Sequence, residues 1–244
     1  MSKFAIQDTS EVMHTLTHFR LCPHSRSIRL LLGEIGLEVR LIEARPWEYR
    51  PGLLALNPAG ELPVLELENG PVLCGAYATS EYIAEELKRH PIDGRPAPLF
   101  PGSREERAEV RRLVDWFHAK LNREVTREFL EEKVYRGYRT GGGAGAPDLT
   151  VLRAVRANLR YHMSYVAYLA HERRWLAGDD MSFADLAAAA HLSTLDYLGE
   201  VPWENYEPAK QWYARLKSRP SFRPLLADRI SGTPAPMHYT DLDF

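Results

Sequence analysis

The chain has 244 residues, with 31 Lys+Arg against 33 Asp+Glu and a net charge of -2. A balance this close to neutral gives no global reason to expect nucleic acid or an anionic membrane as partner, so any charged recognition must be local. Only Cys22 and Cys74 are cysteines, too few and too far apart for a disulfide framework or a cysteine zinc site, which fits a reducing cytoplasm.

In chain order, "MSKFAIQDTSEV" lacks the apolar run of a signal peptide. Residues 1–12 are expected to be a disordered extension, with Met13 as a natural start. No stretch approaches the roughly 20 apolar residues a membrane helix needs. From Met13 to about His90, "HTLTHF" and "EVRLIEA" read as strands, with "PHSRSIRLLLGEIG" between them as a helix stopped by Gly36. "LPVLEL" and "PVLC" read as a hairpin turning at Glu68-Asn69-Gly70, and "AYATSEYIAEEL" as the helix after it. Residues 91–103 are rich in Pro and Gly and read as a linker. Helical periodicity then runs through residues 104–230 and predicts an all-α bundle. The glycine-rich "RGYRTGGGAGAPD" has neither the Lys nor the strand context of a phosphate loop and reads as a connector.

Several residues carry possible chemistry. Cys22 precedes Pro23, a residue suited to a first helical turn, so its sulfur would meet unpaired N–H groups and the positive end of a helix dipole. Arg26, one turn on, would add to that field, so Cys22 is either a reactive thiolate or a small buried residue without chemistry. Cys74 reads as core. Pro63 inside a strand-like run is explained by an edge position or a cis bond. Ser182 and Asp185 have the spacing of a helix-starting capping box. Trp47 and Tyr49, flanked by Arg45, Glu48 and Arg50, are of the types enriched at protein interfaces, unless the loop packs on its own domain. The tail at 231–244 ends in Asp241, Leu242, Asp243 and Phe244. Carboxylates alternating with large apolar residues suit insertion into a partner's groove; the alternatives are a tail folded over its own cleft or a solvated end.

A small α/β unit, a Pro-rich linker and a helical unit together resemble the glutathione S-transferase superfamily from Met13 to about Arg229. The segments "LCPHSRSIRLLLGE", "NPAGELPVL" and "SFADLAAAAHL" carry the resemblance. It implies an α/β thioredoxin-like domain (13–90) followed by an all-α helical bundle (104–230), and a glutathione site that would include Cys22, Ser25, Leu62, Pro63, Gly75 and Ala76. Active members carry an acidic residue or Gln, then Ser, where this sequence has Gly75 and Ala76, so the grip on the γ-glutamyl end is missing here. Thr79, Ser80 and Glu81 could replace it only if the register shifted. Cys-Pro-His-Ser at 22–25, the missing polar pair and the final Asp-Leu-Asp-Phe are also similar to a bacterial, FtsZ-binding branch of that fold. This implies a cytoplasmic, non-catalytic homodimer that binds FtsZ filaments, relays to septal wall-synthesis machinery and needs neither metal nor cofactor. The alternative it leaves open is an active glutathione S-transferase or thiol transferase using Cys22 and glutathione.

Overall fold

The computed structural model describes residues 13–89, 99–141 and 146–242. The extension at 1–12, most of the linker, and the Asp243 and Phe244 contacts lie outside the described residues.

The first unit is a four-stranded mixed sheet: β1 (Thr15–His18), β2 (Arg40–Glu43), β3 (Val64–Glu66) and β4 (Val72–Cys74), in the order β2-β1-β3-β4. β2 runs parallel to β1 with Leu16 opposite Leu41, and β3 runs antiparallel with Leu65 opposite the same Leu16. The parallel pair needs a crossover, supplied by α1 (Pro23–Ile35), which Gly36 ends in the left-handed conformation at φ 69°. α2 (Pro51–Leu56) leads to a loop braced by Asn57, whose amide donates to the Glu61 carbonyl at 2.9 Å while its oxygen accepts from Ala59 N–H at 3.2 Å. The Leu62–Pro63 bond beyond it is cis. The sheet and its helices are a thioredoxin-like domain, closed by α3 (Ala76–Arg89).

The second unit is helical. A continuous run comprises α4 (Arg104–Asp115), a π-helical stretch Trp116–Thr126, α5 (Arg127–Leu130), a second π-helical stretch Glu131–Tyr135 and α6 (Arg136–Arg139). α7 (Leu149–Glu172), α8 (Phe183–Tyr197) and α9 (Glu207–Lys217) complete the bundle. Beyond α9, Pro220 and Pro224 break the chain into a 3-10 turn at Pro220–Phe222 and a single turn α10 (Arg223–Leu226). Every residue of α8 is buried, and its run of alanines lets α1 pack closely against it.

That α1–α8 contact joins the two units through polar as well as apolar groups. Thr194 Oγ1 donates to the Leu21 carbonyl at 3.1 Å, and Arg219 forks onto Glu34 at 2.7 and 2.6 Å. Arg26, wholly buried, does not face Cys22. Its Nε donates to the Arg20 carbonyl at 2.7 Å, Nη1 to Ser193 Oγ and Tyr239 OH at 2.9 and 3.0 Å, and Nη2 to Asp228 at 3.2 Å. Asp228 also takes two bonds from Arg29, at 2.8 and 3.1 Å. The expected contribution of Arg26 to a thiolate therefore fails, because a carboxylate far along the chain claims the guanidinium.

The tail does not hang free from residue 231. Ile230 bridges to Thr233, Met237–Thr240 forms a 3-10 turn, and Tyr239 is wholly buried, with its hydroxyl donating to the Leu225 carbonyl at 3.0 Å. Its ring meets Tyr197 edge-on at 5.2 Å. The tail thus lies along the back of the α1–α8 junction rather than over a cleft, and Asp241 and Leu242 emerge exposed beyond the Tyr239 anchor.

Burial also fixes a pH response. His18, at the end of β1, is 4% exposed and its pKa is pushed down to about 4, by burial first and then by the positive field of Arg29, with Arg20 and Arg26 adding and Asp228 opposing. Between about pH 6.5 and 4 the unfolded chain takes up a proton that the folded chain refuses, so stability present at neutral pH is lost on acidification. At pH 5 this one group should remove about 2 kcal/mol. Urea midpoints at pH 7.5 and 5 test this, and His18→Gln should flatten the slope.

Candidate functional site

Where the two units meet, a cleft of about 420 Å³ opens. One wall is the start of α1, the Glu61–Leu62 loop and the start of α3; the other comes from the first π-helical stretch and the helix beyond it, through His118, Asn122, Arg127 and Tyr135. The wide π turns re-aim side chains, which is why such stretches recur at functional sites.

Cys22 is the N-cap residue of α1, and Arg26 N–H donates to its carbonyl at 2.9 Å. Its thiol is 9% exposed and leans toward the Leu62 carbonyl, with Sγ 3.9 Å from the oxygen. Burial pushes the thiol pKa up, against the helix-end hydrogen bonds of Ser25 and His24 that pull it down. Burial wins, so the thiol stays protonated, and of the two readings of Cys22 the buried residue is the one the geometry favours over the reactive thiolate. Ser25 is wholly buried and accepts from Phe19 N–H at 3.4 Å, and its hydroxyl stays beside the Cys22 thiol, behind the cleft surface. Leu62 lines the cleft while Pro63 is buried behind it, its carbonyl accepting from Gly75 N–H at 2.8 Å.

Gly75 and Ala76 stand at the mouth of the cleft where α3 begins. Gly75 has φ +82°, a left-handed conformation that side-chain-bearing residues rarely adopt, so this backbone disfavours the family's acidic residue as well as lacking it. Ala76 is buried. The shifted register fails too. Thr79 and Ser80 are wholly buried, their hydroxyls spent on the Gly75 and Tyr77 carbonyls, and Glu81 is held by Arg111 at 2.6 and 2.9 Å.

Trp47 is half-buried. Its ring packs edge-on to Phe19 at 5.1 Å and lies against Tyr135 and Tyr138 at 4.5 and 5.5 Å, so it is a wedge between the two units. Neighbouring Tyr49 remains 67% exposed. At the head of α8, Asp185 is wholly buried and accepts from Ser182 N–H at 2.9 Å and Ser182 Oγ at 3.1 Å.

Three histidines that sequence reasoning missed stand together at the cleft, His24 and His118 lining it and His191 wholly buried beside them. Ser27 Oγ spends its one hydrogen on the His24 carbonyl at 2.8 Å, so toward His118 Nε2, 3.2 Å away, it can only accept. His118 Nδ1 then accepts from His191 Nε2 at 3.1 Å, and His191 Nδ1 from Thr126 Oγ1 at 2.9 Å. His24 Nε2 donates to the His118 carbonyl at 3.1 Å. These are the roles of three neutral rings, the form that burial favours by pushing each of their pKa values down. No local spacing signals the set, because its members come from three distant helical segments.

Two family models match: the glutathione S-transferase N-terminal domain over residues 16–91 and its C-terminal domain over residues 141–220. Among curated proteins, FtsZ-localized protein A of Caulobacter vibrioides is 46% identical over 237 residues, covering 96% of this chain and 99% of that one. The crystal structure of a glutathione S-transferase from Sinorhizobium meliloti superposes with a TM-score of 0.89 at 47% identity, covering 96% of this chain and 100% of that one. That of FzlA from C. crescentus does so with 0.88 at 45% identity, covering 96% and 100%.

Proposed function

Because the chain belongs to the glutathione S-transferase family, its departures from that family's chemistry carry the reading, and we propose that it is a non-catalytic, FtsZ-binding regulator of cell division. The observation that carries this is the start of α3: Gly75 at φ +82° and buried Ala76 offer no polar side chain where a γ-glutamyl group would be held. Hydrogen bonds to charged groups are worth roughly 1.5–3 kcal/mol each, so losing two weakens glutathione binding by about 10² to 10⁴. The likeness to FtsZ-localized protein A supports the choice of partner.

The contacts we assign are the exposed Asp241 and Leu242, held out by the buried Tyr239, with Tyr49 as a further exposed aromatic. Asp243 and Phe244 complete the tail motif in the sequence. Trp47, half-buried against Phe19, Tyr135 and Tyr138, is left out of the contacts we assign. In this reading the protein acts in the cytoplasm as a homodimer recruited to the division site, where it passes a signal toward septal wall synthesis. Among the described residues no helix is long and apolar enough to cross a membrane.

Two measurements test the reading. Calorimetry with reduced glutathione is expected to give a dissociation constant of about a millimolar or weaker; micromolar binding, or electrophile turnover that Cys22→Ser abolishes, would establish the transferase instead. Co-sedimentation with FtsZ filaments is expected for the wild type and to fall at least about tenfold for Asp241→Lys or Leu242→Asp, roughly 1.4 kcal/mol. Wild-type binding by both variants, folded by circular dichroism, would remove the tail from the interface.

A further inference from the structure

The three histidines at the cleft have the geometry of a coordination site. One ring nitrogen each from His24, His118 and His191 lies within 4.8 Å of one from each of the others. His24 stacks on His118 with ring centroids 4.5 Å apart and meets His191 edge-on at 5.7 Å. The 3.1 Å between His118 Nδ1 and His191 Nε2 is an N–H···N hydrogen bond without metal. It is also the separation of two nitrogens each about 2.05 Å from one cation at an angle of roughly 98°, between octahedral and tetrahedral values.

The opposite nitrogens are placed to match. His118 Nε2 faces Ser27 Oγ, His191 Nδ1 faces Thr126 Oγ1 and His24 Nε2 faces the His118 carbonyl, at 3.2, 2.9 and 3.1 Å. An oxygen partner on the remote nitrogen is what orients a ligating imidazole, fixes its tautomer and raises its basicity. With those oxygens accepting, the lone pairs left are on His24 Nδ1, His118 Nδ1 and His191 Nε2. Only Thr126 must change role: its hydroxyl, which donates to His191 Nδ1 in the metal-free chain, turns to accept from it. His191 changes tautomer, and no net proton is released. His24 and His118 line the cleft, which supplies an entry path and room for a water as the remaining ligand.

We propose that His24, His118 and His191 bind a single late first-row divalent cation of the zinc class. Three neutral imidazoles suit Zn²⁺, Co²⁺, Ni²⁺ or Cu²⁺ and not Mg²⁺ or Ca²⁺, which require oxygen ligands. The three ligands come from α1, the π-helical stretch and α8, so the cation pins the thioredoxin-like domain to the bundle. The site goes beyond the FtsZ reading and stands whether or not that reading holds.

The test uses the full chain, stripped with a chelator and titrated with Co²⁺. Expected are one equivalent bound, visible d–d absorption displaced by Zn²⁺, and a higher melting temperature with either ion. His24→Ala removes a half-buried ligand at the cleft wall and should weaken binding at least about tenfold, and Ser27→Ala, which takes away an outer partner, by about 10-fold. His171→Ala, on an exposed histidine of α7, should leave binding unchanged. No absorption change and no melting shift with millimolar Co²⁺ or Zn²⁺ overturns the site; so does binding that survives His24→Ala, or that disappears with His171→Ala.

Discussion

Arg26→Ala is expected to lower the unfolding free energy by about 3–5 kcal/mol, through the cavity left by a large buried side chain and the buried acceptors it leaves unserved. The guanidinium is 0% exposed and serves four acceptors at once: Asp228, Ser193 Oγ, Tyr239 OH and the Arg20 carbonyl. Asp228 keeps Arg29 after the change, so its charge stays paired. The loss comes from the cavity, the stranded Arg20 carbonyl and the loosened Tyr239. Arg26→Met fills most of the volume and leaves the same acceptors unserved, so it should fall between wild type and Ala. Urea unfolding at neutral pH measures both. A shift under about 1 kcal/mol for Arg26→Ala would show that water takes over the guanidinium's bonds. Because Tyr239 anchors the tail, Arg26→Ala should also speed proteolytic cleavage within residues 231–242 at urea concentrations well below the unfolding midpoint.

The second large effect is expected at Asp185. Its two oxygens accept four hydrogen bonds: Leu176 N–H and Trp212 Nε1 at 2.9 Å on one, Ser182 N–H and Oγ at 2.9 and 3.1 Å on the other. Burial pushes its pKa up, and these four donors pull it back. The carboxylate is at once the start of α8, the support of the Leu176 loop and the partner of a buried tryptophan. Asp185→Ala should cost about 4 kcal/mol or more, since buried donors left unsatisfied cost roughly 1–3 kcal/mol each. The informative variant is Asp185→Asn. It keeps the shape but turns an NH2 toward neighbours that are themselves donors, so it should recover little of the loss. Recovery to within about 1 kcal/mol of wild type would mean that shape matters here more than charge.

Local signals in the sequence reach far into this fold. The Cys22-Pro23 entry and Gly36 exit of α1, the turn at Asn69-Gly70 and the all-helical second half depend on neighbours within a few residues, and the structure has them at those places. The illegible features depend on partners far along the chain. Arg26 reads as a neighbour of Cys22, but its partner Asp228 lies 202 residues on. Trp47 reads as an interface residue because nothing near it predicts Tyr135 and Tyr138 closing over it. A thiolate at Cys22 follows only from a helix end considered alone; burial, with Sγ against the Leu62 carbonyl, keeps the sulfur protonated. The three histidines are invisible for the same reason, each an ordinary residue in its own helix.

The Arg26–Asp228 bond also orders events in time. At roughly 5–20 residues per second of synthesis, Asp228 leaves the peptidyl-transferase centre about 10–40 s after Arg26. During that interval the nascent thioredoxin-like domain carries two arginines, Arg26 and Arg29, on a helix face whose counter-charge has not yet been made. Until then the α1 face stays open to water, which solvates both cations, and the junction with α8 cannot be completed. In ribosome-stalled chains the α1–α8 junction should become protease-resistant only when residues beyond Asp228 have cleared the exit tunnel.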